Sequence, residues 1–233
     1  MRGISDMSRK EEIFEAPSFQ TKYNDIKAIG DIGETEARKF WNAVFSQPMT
    51  SCEITEKDIC KDIYGRTEEE FVFDIDISRS EIQHILKLFK TESWELLSVE
   101  EKEIRTQELM LLIAKELGIK NPPSIEFYEA LPCDCGAYEP ERNVISVNRN
   151  NLDDSQEIVN TIAHETRHAY QYQRAMNPEN YLDFLYAYNF ANYIAPYVDE
   201  DGYANFIDYQ DQLIEAEARA FADLFRLEDA NNE

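Results

Sequence analysis

Apolar positions first recur at helical spacing between about Glu34 and Phe45, and the pattern stops at Gln47-Pro48. A second helix is expected from Thr55 to Tyr64, closed by Gly65. The period then changes. Phe71-Val-Phe-Asp-Ile-Asp-Ile77 is apolar and then alternating, which predicts a strand, after which Ser80 caps a helix through about Lys90. Residues 1–22 mix charges with Ser and Pro17, keep no period, and read as a loose arm.

From Thr91 onwards the pattern is more regular. Ser98 stands three residues before Glu101, a capping box, and opens a helix through Leu109, Leu112, Ile113 and Leu117 to Gly118. Asn121-Pro122-Pro123 breaks the chain, and Ile125-Glu-Phe-Tyr128 predicts a strand. A second strand is expected over Asn143–Asn148, reached through Cys133-Asp-Cys-Gly-Ala-Tyr138. Ser155 opens a long helix to about Arg174, Pro178 starts another, and a last one runs from roughly Ala204 to Leu227. The expected class is therefore α+β and mostly helical with a small sheet. A largely helical N-terminal region, 1–90, with no motif of its own, precedes a second domain, 91–233.

Composition narrows the partners more than the fold. The 233 residues suffice for one ample domain or two small ones, and a hydrophobic share of 43% is that of a folding chain. Forty-seven acidic side chains against 23 basic ones leave a formal net charge of −24. Such a field repels phosphate backbones and anionic headgroups, which argues against nucleic acid and membrane, and attracts basic peptides or proteins. Four cysteines, Cys52, Cys60, Cys133 and Cys135, are too few for a disulfide framework in a chain this long. Neither a signal-like apolar stretch nor a run of membrane-spanning length occurs, so a cytoplasmic location, or export by a signal-less route, is expected.

The chemistry concentrates in Thr161-Ile-Ala-His164-Glu165-Thr-Arg-His168-Ala-Tyr170. Residues four apart on a helix lie one turn above each other, so two imidazoles can converge on one zinc ion. The glutamate beside the first histidine then reaches a metal-bound water rather than the metal. With three histidines in the whole chain, chance would give ~0.005 such motifs, so composition alone does not explain it. Ile158, Val159, Ile162, Ala163, Ala169 and Tyr170 form one side of the helix, with both histidines expected on the other. A third ligand is sought in Gln212-Leu-Ile-Glu215-Ala-Glu217-Ala-Arg-Ala-Phe221. Helical angle points Glu217 into the stripe of Ile214, Phe221 and Leu224, where a carboxylate needs a metal or a partner, and leaves Glu215 on its flank.

The pattern Glu-x-x-Ala-x-x-Phe-Ala, following His-Glu-x-x-His by a few dozen residues, resembles the second metal-binding helix of the glutamate zincins (gluzincins). The chain resembles above all small bacterial and phage-associated members, with a His-Glu-x-Arg-His active helix and a Glu-x-x-Ala-Arg helix, over about Thr91–Leu227. The resemblance implies a minimal zincin metallopeptidase unit over 91–233, with zinc held by His164, His168 and Glu215. Glu165 would be the general base and would then protonate the leaving amine. One departure is Arg219, where several gluzincin families carry an acid that orients a zinc-binding histidine. That role then falls to Asp208, Asp211 or Asp223. A cysteine ligand from Cys133-Asp-Cys135 would instead resemble peptide deformylase, whose glycine-rich and glutamine motifs are absent.

The expected activity is zinc-dependent hydrolysis of a peptide bond in a protein or peptide substrate, with basic substrates favoured by the charge, in an effector, toxin or regulatory protease. An extended substrate is expected to add as a strand near Asn143–Asn148. The alternative is a non-catalytic module of the same fold that binds a protein partner through its acidic surface and N-terminal region, although a purely structural zinc site has no need of Glu165. Arg167, Arg219 or a tyrosine between Tyr181 and Tyr197 are candidates to polarise the substrate carbonyl. Asp74 and Asp76 fit a solvated strand face, and His84 has no evident partner in the sequence.

Overall fold

A computed structural model of the chain describes residues 56–131, 134–196 and 205–227. The arm at 1–22 and the helix expected at Glu34–Phe45 lie outside the described residues, as does Cys133. The class is α+β and mostly helical with a small three-stranded sheet. The chain divides into two compact units, one of 71–170 with 218–233 and the other of the residues up to 70 with 171–217. Of the three divisions, those at 170/171 and 217/218 fall inside helices and that at 70/71 does not.

In the first unit, α2 (Ser80–Leu88) and the short α3 (Thr91–Trp94) lead to α4 (Val99–Glu116). The Ser98 hydroxyl accepts the Glu101 N–H while the Glu101 carboxylate accepts the Ser98 N–H, so the capping box forms. At the other end Gly118 takes φ +68°, and the amides of Gly118 and Ile119 return to the carbonyls of Lys115 and Ala114. Strand β1 (Ser124–Tyr128) pairs in parallel with the central β3 (Val144–Asn148), and β2 (Gly136–Glu139) pairs antiparallel on β3's other side. Helix α5 (Ser155–Met176) starts where the Asp154 carboxylate accepts the Glu157 N–H. Leu109, Ile113, Ile145, Val147, Ile158, Ile162 and Phe221 meet in one core.

Three expectations change here. Residues 71–76 make no ladder. The alternation is real, with Phe73, Ile75 and Ile77 against the core and Val72, Asp74 and Asp76 exposed, but an extended strap produces it as well as a strand does. Ser80 is the first residue of α2 rather than its cap, and Arg79 precedes it with no side-chain cap. Finally, β2 forms where a mere connection was expected.

In the second unit, α1 (Glu56–Ile63) ends before Gly65 at φ +69° and packs on α6 (Tyr181–Ala191). Asn180 caps α6, and Arg174 grips the buried Asp183 through both carboxylate oxygens at 2.8 and 2.9 Å. The single last helix expected from Ala204 is two, α7 (Phe206–Gln210) and α8 (Leu213–Asp223). The break has a cause. The Asp211 carbonyl accepts the Arg66 N–H, and the fully buried Gln212 bonds across the gap. Its amide group donates to the carbonyls of Ile194 and Tyr209, and its oxygen accepts from Asn189 Nδ2 and Ile194 N–H.

Candidate metal centre and its supports

The His-Glu-x-x-His segment lies in the middle of α5, on which nearly every residue from Ile158 to Ala169 is buried. Of the two histidines, His164 is half-buried and His168 is 8% exposed. The one-turn spacing brings His164 Nε2 within 3.0 Å of His168 Nε2, with the rings at 82° to each other. Glu215, on the first turn of α8, completes the group. Ligand atoms of His164, His168 and Glu215 all lie within 4.8 Å of one another.

Donor chemistry and spacing can be compared with an ion. Tetrahedral zinc with bonds of 2.0–2.1 Å separates its ligand atoms by about 3.3 Å. The imidazole pair, at 3.0 Å, is near that value, and the three ligand atoms lie within 4.8 Å of one another. Two imidazoles and one carboxylate suit zinc in a three-ligand site that leaves a position for water. The residues fit the metal.

The two glutamates of α8 divide by their partners. Glu217 is buried, but its oxygens accept from Tyr186 OH at 2.8 Å and Gln171 Nε2 at 2.7 Å. Helical angle places this carboxylate in the packed stripe, where it needs a metal or a partner, and Tyr186 and Gln171 serve as partners. Glu215, 1% exposed, accepts the Tyr193 hydroxyl on Oε1 at 2.8 Å. Burial of that phenol end, and then the nearby Glu215 charge, hold Tyr193 far above its usual ionisation range, so it remains a donor.

Glu165, 8% exposed, points to the sheet. Its Oε2 accepts the backbone N–H of Tyr138 on β2 at 2.8 Å. This corrects the expected substrate edge. Strand β3, over which addition was expected, is central and paired on both sides, whereas β2 is an edge strand beside Glu165.

Other expectations fall away from the site. The Arg167 guanidinium lies over the rings of Phe73, Tyr170 and Phe221 at 5.1, 4.4 and 5.2 Å, a buried aromatic setting rather than a substrate-facing one. Asp208 and Asp223 are exposed, and Asp223 pairs with Arg226, so neither orients a histidine. Cys135 is half-buried and stands outside the histidine–glutamate group. Asp76 accepts from Ser78 in an exposed turn, and His84 is exposed on α2. Sequence reasoning missed Tyr138, whose contribution is a backbone amide that any residue but proline supplies. It also missed Tyr193 as Glu215's partner, hidden among many tyrosines. Gln171, three residues after His168, had a readable position on the histidine side of the helix.

No family model, curated protein or solved structure matches the chain.

Proposed function

We propose that the protein is a zinc-dependent peptidase that hydrolyses a peptide bond in a protein or peptide substrate, with His164, His168 and Glu215 holding the metal. The observation that carries this reading is the convergence of those three side chains within 4.8 Å, with Glu165 next to the first of them. Bound there, zinc would supply a Lewis acid and lower the pKa of its water towards 7. Glu165 takes the proton of the attacking water on its carboxylate and passes it to the leaving amine. The Tyr138 N–H donates to that carboxylate's Oε2. Tyr193 donates its hydroxyl to Glu215 and so restrains the carboxylate that would serve as third ligand. The outer edge of β2, where Glu165 accepts the Tyr138 N–H, still turns the Gly136 N–H and the Gly136 and Tyr138 carbonyls outward towards an extended substrate, which favours a peptide over a small molecule.

Two measurements test the proposal together. The purified protein is expected to bind about one zinc per chain, removable by a chelator with loss of peptide cleavage. Glu165→Gln is expected to keep the zinc and lose about 10²–10⁴ in cleavage rate. A protein that takes up no zinc at neutral pH ends the metal reading. One that holds zinc yet cleaves nothing in a broad peptide library is a binding module instead.

A further inference from the structure

Strand β2 does more than border the site. In an antiparallel pair, successive residues turn their amides alternately towards the partner strand and away from it. Cys135 accepts the Asn148 N–H, so 135, 137 and 139 face β3 while Gly136 and Tyr138 turn outward. The outward Tyr138 N–H is the one that donates to Glu165. A second contact lies two residues back along β2 and one turn back along α5. A Cβ on Gly136 would stand 2.9 Å from Thr161 Cγ2 and 2.6 Å from the Ser146 carbonyl oxygen, both too close for any side chain. Only glycine lets the strand come this near the helix. Thr161 and Glu165 lie one helical turn apart, and Gly136 and Tyr138 lie on the same side of the strand, so the two contacts form parallel rungs. A third tie fixes the strand's far end: Tyr138 OH donates to Asn143 Oδ1, and the same Asn143, at φ 52°, donates through Nδ2 to the carbonyls of Asn121 and Pro122.

We infer that β2 is a positioning clamp for the general base, in which Gly136 sets the strand-to-helix distance and the Tyr138 amide holds Glu165. This rests on the peptidase reading for its consequence in catalysis, although the clamp itself is a property of the metal-free chain. A carboxylate on an exposed rotamer would sample several orientations, and misplacement by about 1 Å costs on the order of a hundredfold in rate. An amide donor fixed by a ladder on one side and a turn on the other removes that freedom before substrate arrives.

Amide exchange on the metal-free protein tests the clamp directly. An outward edge-strand amide exchanges fast unless something accepts it. Glu165→Ala is therefore expected to speed exchange at Tyr138 by roughly tenfold or more, with Ala137 and Glu139, which face β3, unchanged. Equal Tyr138 exchange in the two proteins overturns the inference. Kinetics on the zinc-loaded protein give the second arm. Tyr138→Pro removes that N–H and spares the ladder, because the N–H faces away from β3; it also removes the hydroxyl tie to Asn143, so its reference is Tyr138→Phe, which loses the hydroxyl alone. Against that reference the kcat of Tyr138→Pro is expected to fall about 10–100-fold, with zinc affinity and KM kept, the pattern of an interaction made only in the transition state. Gly136→Ala is expected to lower kcat in the same way. If Tyr138→Pro folds and keeps the kcat of Tyr138→Phe, the clamp is refuted and the peptidase reading stands. If it does not fold, the exchange comparison decides. Zinc-loaded wild type that cleaves no peptide refutes the peptidase reading, and exchange still decides the clamp.

Discussion

Glu215 and Glu217 are both buried on α8, and the groups around them differ in kind. Glu217 has an amide and a hydroxyl donor, which is what a structural carboxylate requires. Glu215 accepts the Tyr193 hydroxyl and groups with His164 and His168, a setting that suits a ligand. Glu215→Ala is therefore expected to abolish tight zinc binding in competition with a chromophoric chelator. Glu217→Ala is expected to keep zinc and lose about 1–3 kcal/mol of stability, because it takes the Glu217 acceptor from the buried Tyr186 hydroxyl and from one N–H of the Gln171 amide, whose other bond goes to the Ile214 carbonyl. Tyr193→Phe is expected to weaken zinc about 10–100-fold with the fold intact. Wild-type zinc affinity in that variant would show that Glu215 needs no support from it. The sequence made much of this legible. Spacing alone marked His164, Glu165 and His168, since chemistry that needs one helical turn leaves an i, i+4 trace. Spacing could not choose between two acids of similar burial, because the choice lies in hydroxyls donated from α6 and from the segment after it, far off in the chain.

At the scale of elements, what could be read was what local chemistry decides. The capping box at Ser98 and the glycines at 65 and 118 fixed helix ends, because caps and positive φ are settled within a few residues. What was misread depends on distant partners. The strap at 71–76 has a strand's alternation without a strand to pair with, and β2 is too short and too polar to announce itself. The break between α7 and α8 is the clearest case, since nothing in the sequence stops a helix at Asp211-Gln212. Its cause is Gln212, which satisfies the carbonyls of Ile194 and Tyr209 and the amide of Ile194 and so ties α8's start to the segment carrying Tyr193. Gln212→Ala is expected to cost about 2–4 kcal/mol in a denaturant titration, several buried groups losing partners at once. The same variant is expected to weaken zinc binding below the unfolding midpoint, because Tyr193 loses its anchor. A stability loss under about 0.5 kcal/mol would mean that water replaces the side chain at this position.

For the whole molecule, the dominant physical quantity is the net charge of −24. Two effects follow from a field of that size, and they separate experimentally. Self-repulsion keeps chains apart at any substrate, whereas long-range attraction raises the encounter rate only for positive ones, by about 10–10³ in favourable cases. Salt removes the second effect. Raising the ionic strength from about 0.01 M to about 1 M shortens the Debye length from roughly 30 Å to 3 Å, so charges act only at contact. If the field steers substrate, kcat/KM for a Lys- and Arg-rich peptide is expected to fall at least about tenfold across that range, while kcat at saturation holds. A neutral peptide of the same length is expected to change little in either constant. The split matters, because a salt effect on kcat would come from the site itself rather than from the approach to it. Equal salt responses for the two peptides would assign the acidic surplus to solubility alone, and the substrate would then have to be sought without regard to its charge.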